Sequence, residues 1–231
     1  RRRRRVHDHA SGQGGDRVFD NDLILGGAGR FTAGGSFQMN FTANSTWTLT
    51  SVKGIGISQV THHDGTIEGD FGFVKFGGGM LVLNNANTYA GDTSIREGVI
   101  HARHAGAFGA GSAVVLEADE AIGSAIELSN DISITGKSLS IEGVGVMSTT
   151  PPAGIDANAG ALRNRSGDNS WTGPVSLTGD AVVAVDSGTL TLGAVSGSSA
   201  LTVHGAGTLK APGLRVASLS LDAGTKVALL P

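Results

Sequence analysis

An all-β solenoid, a single elongated body in which short strands wind into stacked coils around one narrow interior, is the fold class predicted by three features of this chain. Apolar and polar residues alternate in short runs, glycine separates the runs, and the pattern recurs at about one coil's length. Glycine supplies 37 of 231 residues, about twice the usual share of roughly 7%, without the strict third-position period or the proline of collagen, so it serves corners. The hydrophobic residues, 39% of the chain, are mostly Val, Leu, Ile and Ala, with aromatics only 5%. That composition suits thin strands stacked in register.

Residues 1–22 are polar, charged and glycine-rich and are expected to form a disordered or loosely ordered lead-in. The opening run Arg1 to Arg5 has no apolar signal-peptide core behind it, so a removed leader or an internal fragment is expected. Strand signals begin at Leu23, and residues 23–231 are expected to form the solenoid. Leu23-Ile24-Leu25, Phe31-Thr32, Ser36 to Phe41 and Thr46 to Val52 are short runs broken by Gly26-Gly27, Gly34-Gly35 and Asn44. Ile55, Ile57, Ile67 and Phe71 to Phe76 continue the pattern.

The most regular coil follows. Met80-Leu81-Val82-Leu83 puts Leu81 and Leu83 on one side and Met80 and Val82 on the other. A polar corner, Asn84 to Asp92, leads to a strand at Thr93 to Ile95, and Gly98 restarts the chain at Val99. A coil of this kind cannot bury its inner face alone and needs copies above and below it. Further runs lie at Ala113 to Leu116, Ile126 to Leu128, Ile132 to Ile134 and Leu139 to Ile141. Leu190 and Leu209 repeat in equivalent Gly-Thr-Leu settings 19 residues apart. Coils of about 20 to 25 residues give roughly nine layers, and about 4.8 Å per layer gives a rod segment of roughly 45 Å. Helix evidence reduces to a single turn near His101 to Gly106. Pro151-Pro152 cannot sit in a central strand, so a loop projecting from the rod is expected near 147–161.

Function classes narrow from composition. Cysteine is absent, which removes disulfides and thiolate zinc sites. No apolar run approaches the roughly 18 residues of a membrane-spanning helix. The five opening arginines belong to only 17 cationic residues against 20 acidic ones, so the rest of the chain is acidic and does not read as a nucleic-acid surface.

Catalytic and metal motifs are fragmentary. Gly136-Lys137-Ser138 lacks the earlier glycine of a phosphate loop, Asp131 standing in its place. Asp186-Ser187-Gly188 lacks a base and an orienting group for Ser187. Gly14-Gly15-Asp16 with Asp20 and Asp22 is one irregular copy of a calcium pattern that works by repetition. His7, His9, His62, His63, His101 and His104 read as surface corner residues. Asp64, Glu68 and Asp70, and Glu117, Asp119 and Glu120, are the acidic clusters a polysaccharide-degrading enzyme would use, or simply solvated corners. No catalytic residue, cofactor or metal is assigned.

The residues from Gly77 to Ile100 resemble the autotransporter-associated β-strand repeat at Gly79, Leu81, Leu83, Asn87-Thr88-Tyr89, Gly91, Thr93 and Gly98, departing at Asp92 and Val99-Ile100. Residues 160–192 resemble repeats of the same large bacterial surface proteins. The resemblance implies a right-handed parallel β-helix in the passenger of a type V secreted Gram-negative protein. It implies export through the outer membrane to the cell surface, with adjacent passenger coils and a C-terminal β-barrel translocator, absent from this chain, as partners. The expected role is a non-catalytic, monomeric stalk. The alternatives are an adhesin module binding host glycan or surface protein, and a polysaccharide-degrading enzyme. Tyr89 and Trp171, each at a repeat corner, are the candidate ligand contacts, because aromatic platforms stack on sugar rings. The competing role for each ring is to close the end of the apolar interior. Asn84, Asn85 and Asn87 read as turn formers, a residue type that tolerates left-handed backbone, and their stacked side chains are expected to add a hydrogen-bonded ladder.

Overall fold

The computed structural model describes residues 9–10, 15–117 and 121–230. Every strand pairing among them is parallel, and the strands stack as a β-solenoid of about ten turns. Each regular turn contributes one strand to each of three faces. On the first face Arg30–Ala33, Lys53–Ile57, Phe73–Phe76, Thr93–Ile95, Ala113–Leu116 and Ser138–Gly143 lie in succession. On the second, Met39–Phe41, Thr61–His63, Met80–Leu83, Gly98–Ala102, Ser124–Leu128 and Leu162–Asn164 do the same. The 11-residue strand Val175–Val185 bends around the corner between these faces, pairing at Val175 with the first and at Val183 with the second.

The third face is interrupted. Leu23–Leu25, Thr46–Leu49 and Thr66–Gly69 form one ladder, and Ser133–Ile134, Asp168–Trp171, Thr189–Leu192, Thr208–Ala211 and Lys226–Leu229 another. Between them the coil continues without strands: Tyr89 N–H donates to Ile67 O at 3.3 Å and Ala110 N–H to Tyr89 O at 2.8 Å. The helical turn expected near His101 is instead strand through Ala102, followed by a turn closed by Ala107 N–H to His104 O at 3.0 Å.

Inward residues of all three faces meet in one apolar core that runs from Leu23 to Ala211. Its composition changes along the axis. Phe19, Phe31, Phe41 and Trp47 stack or pack edge to face in the early turns, whereas Val, Leu and Ala fill the late ones. Two kinds of polar residue enter this interior with defined tasks. Lys75, fully buried, donates from Nζ to Gly77 O and Glu97 O, each at 2.7 Å, binding successive corners whose carbonyls face inward. Burial lowers its pKa to about 7, with Glu97 opposing. Asn87 accepts from Ile67 N–H at 2.7 Å and donates to Ala107 O at 2.6 Å, adding a side-chain bridge between turns where the third face has no strand.

Corners hold their shape through glycine and aspartate. At Gly98, φ is +71° and a Cβ would lie 2.5 Å from both Gly77 O and Gly79 O, so close stacking of coils demands a residue without one. Asp22, Asp92, Asp131, Asp168 and Asp180 each accept a backbone N–H from the next turn, satisfying donors the corner leaves free. Among the described non-glycine residues, left-handed backbone is taken by Asn130, Asp131 and Asn158 and not at Asn84, Asn85 or Asn87. At 84–87 the side-chain amides, not unusual dihedrals, make the corner.

Two expectations are corrected. Within the expected lead-in, Arg17–Phe19 pairs with Met39–Phe41 and His9–Ala10 with Thr32 and Ala33, so coil stacking reaches back before Leu23; residues 1–8 and 11–14, including the arginine run and His7, lie outside the described residues. The 147–161 segment does leave the coil path, as its prolines require, but it lies down on the second face instead of projecting. Val146 and Ile155 are buried against Met80, Val82, Val99 and Ala125.

Candidate functional site

The outer side of the second face is where this solenoid departs most from a plain rod. Side chains alternate along each strand, so parallel register stacks every outward residue into a column. One column, Met80, Val99 and Ala125, is apolar and accounts for the strand Met80–Leu83 being buried on both sides. The neighbouring column runs Asn40, His62, Val82, His101, Glu127, Arg163. The 144–161 insertion, leaving the first face after Ser138–Gly143 and returning at Leu162–Asn164, covers the apolar column. Met147 N–H to Ile122 O and Asn158 N–H to Val146 O, both 2.7 Å, tie its base.

Ion pairs fasten its far end. Arg163 donates to Asp156 of the insertion at 2.7 Å, to Asp186 at 2.7 Å and to Glu127 at 3.2 Å. Arg165 donates to Glu127 at 2.8 Å and to Gly154 O at 3.2 Å. Glu127 is buried, and two guanidiniums offset the cost of desolvating its carboxylate. Burial by itself would lower the Arg163 pKa, but the hydrogen bonds it donates to Asp186 and Asp156 hold it above the ordinary arginine value.

Between the insertion's tip and the column lies an open groove of ≈ 470 Å³. Val60, Met80 and Val82 form its apolar floor, and His62, His101, Arg103 and Arg165 are among its polar walls. His101 Nε2 is 2.8 Å from Ser129 Oγ. Burial first, and then the surrounding basic groups of Arg165, Arg103, His62 and Arg163, push its pKa down to about 3. His62 is likewise lowered, first by burial, with Asp64 opposing and Arg103 adding. Both imidazoles are therefore neutral near pH 7.

The sequence-level candidates fall elsewhere. Tyr89 and Trp171 are both fully buried; Tyr89 Oη lies 2.5 Å from Thr93 Oγ1 and Trp171 Nε1 donates to Lys137 O at 2.8 Å. Both rings lie within the interior core, with no exposed face. Ser187 Oγ donates to Arg165 O at 3.3 Å and Lys137 Nζ to Gly111 O, so both side chains stitch coils. Asp64 accepts from Asn84, Glu68 from Thr48, Asp20 from Thr42 and Asn44, and Glu117 from Arg96 and Ser94. Asp119, Glu120 and Gly14 lie outside the described residues. Among the described residues no group of histidine and acidic side chains is placed to hold a metal ion. His63 is interior, edge-on to Trp47 at 4.4 Å, and burial lowers its pKa to about 4.

Sequence reasoning missed Arg103, Glu127, Arg163 and Arg165. The only signal for them was an outward position on a strand or just after one, which becomes visible only once the register is known.

Comparison with known proteins agrees with this architecture. Residues 73–101 match the passenger-associated-transport-repeat family. A segment of 154 residues, 62% of the chain, is 30% identical to the adhesin BmaC autotransporter of Brucella suis biovar 1 (strain 1330). The chain spans 4% of that relative's length. No solved structure matches significantly. The chain thus resembles passenger repeats over one turn, residues 73–101, and an autotransporter adhesin over 154 residues, likenesses that accord with its stacked parallel coils.

Proposed function

We propose that the segment is a non-catalytic spacer, a stalk that holds other parts of the passenger away from the outer membrane of a Gram-negative cell. Its partners in this reading are the neighbouring passenger coils and a C-terminal β-barrel translocator. The observation that carries it is the single core running unbroken from Leu23 to Ala211 with one set of inward positions per turn. Each added turn buries its own face against the last, so length grows by repetition without a new core. Inserting three further in-register copies of residues 73–92 is expected to lengthen the particle by about 14 Å in small-angle scattering, at about 4.8 Å per turn. An unchanged maximum dimension, or loss of cooperative unfolding, sinks the spacer reading.

A second reading is adhesion to host surfaces. It is favoured by the groove beside the insertion and by the relative, which is named an adhesin. A glycan array separates the two, because an inert stalk retains nothing on it.

A further inference from the structure

The geometry points to a binding site for the oxyanion of an acidic sugar, a carboxylate or sulfate group, in the groove between the insertion tip and the second face, with Arg103 as the anion's main partner. The inference rests on the adhesive reading and is independent of the spacer.

Arg103 differs from the other groove arginine. Arg165 is matched by Glu127 and by Gly154 O, and Arg163 nearby is matched three times. Arg103 makes no ion pair among the described residues, and its Nε is buried without a hydrogen-bond partner. A guanidinium part-sunk in a wall and left unneutralised carries an unmet desolvation cost, which an oxyanion arriving from solvent relieves by forked hydrogen bonds. The nearest acid in its own outward column is Asp64, two turns away, and that carboxylate is engaged by Asn84 Nδ2 at 2.6 Å.

The rest of the groove suits a sugar ring. Half-buried Val60 and exposed Ala153 offer apolar surface for the ring's C–H face, with Met80 and Val82 buried beneath them, while His62 and His101 stand beside it as neutral donors and acceptors for hydroxyls. An apolar floor with a few convergent polar groups is the general character of small-ligand sites. Neutral histidines next to one unpaired arginine give a single point of positive charge instead of a diffuse basic patch, which favours one anionic substituent over a polyanion's whole backbone. The open mouth fits an internal residue of a longer glycan.

The test follows the side-chain nitrogen NMR resonances of His62 and His101 in the whole chain during titration with oligogalacturonate, with a sulfated heparin-type oligosaccharide, and with neutral maltooligosaccharide at matched ionic strength. Saturable shifts are expected with at least one acidic oligomer and none with the neutral one; which acidic arm is stronger distinguishes carboxylate from sulfate. Arg103→Gln is expected to weaken binding about tenfold or more, the loss of a charge-assisted hydrogen bond, with Arg103→Lys intermediate because it keeps charge but not the fork. Unfolding midpoints of both variants check that they fold, and either one that does so decides the matter. No saturable shift, equal binding of the neutral oligomer, or wild-type affinity in a folded variant overturns the site. Adhesion to a glycan array that survives Arg103→Gln overturns the site while leaving adhesion itself standing.

Discussion

Ser138-Leu139-Ser140-Ile141 and Ser218-Leu219-Ser220-Leu221 have the same binary pattern and opposite fates. Leu139 and Ile141 are fully buried, whereas Leu219 and Leu221 are 41% and 48% exposed. Both segments are strands and both pair in parallel. The first has a turn stacked on each side, at Ala113 and Val175; the second is paired only with Ala200–His204. In a solenoid, alternation decides which side chains point inward, and neighbouring turns decide whether inward means buried.

That contrast can be broken most sharply by placing a charge in each setting. Leu81→Asp, between Thr61 and Ile100 on the second face, is expected to cost about 4 kcal/mol or more, an unpaired charge in a dry interior. Leu221→Asp is expected to stay within about 0.5 kcal/mol. Urea unfolding of the two variants reads the difference, and similar losses would show that the end turn is as dry as the middle.

Acid sharpens the same distinction between interior and edge. The folded-state pKa of His63 is pushed by burial from 6.5 to about 4, so the unfolded chain binds the extra proton first. Its contribution to stability is complete above pH 6.5 and is lost as pH falls toward 4, on the order of 2 to 3 kcal/mol. His63→Leu is expected to flatten that part of the stability profile. An identical pH dependence in the variant would place the acid sensitivity elsewhere.

Asn87→Ala tests the turn where a side chain bridges coils and the third face has no strand. It leaves Ile67 N–H and Ala107 O without partners and is expected to cost about 2 kcal/mol, read as a lower urea midpoint. A smaller effect is expected from Arg163→Met, which breaks the ion pair holding Asp156 of the insertion and the one to Asp186: about 1 kcal/mol globally, with hydrogen exchange accelerated within residues 144–161 before the coils respond. Uniform acceleration along the chain would mean that the insertion is an integral part of the rod.

Much of the fold was legible because its signals are local. The strands at Met80–Leu83 and Thr93–Ile95 follow from alternation, and Gly98 from a corner that tolerates no side chain. The proline pair at 151–152 is incompatible with a central strand, but nothing local specified that Val146 and Ile155 would fold back onto Met80 and Val99. Leu81 and Val82 look alike in sequence. One is interior to the coil, while the other is buried only because a segment more than sixty residues later covers it. Tyr89 and Trp171 attracted a ligand role for the aromatic character that in fact fills the core.

By itself the sequence determined a stack of short parallel strands with glycine corners, because alternation and corner sterics act over a few residues and survive any arrangement of neighbours. Tertiary structure decided which outward columns formed, that Arg163 and Arg165 would meet at Glu127 with Asp156 held by Arg163, and that Arg103 would be left without a countercharge. Those outcomes depend on register between turns, and on the 36-residue offset that the insertion puts between Glu127 and Arg163. Register is set by the summed packing of all three faces, a quantity no single segment carries.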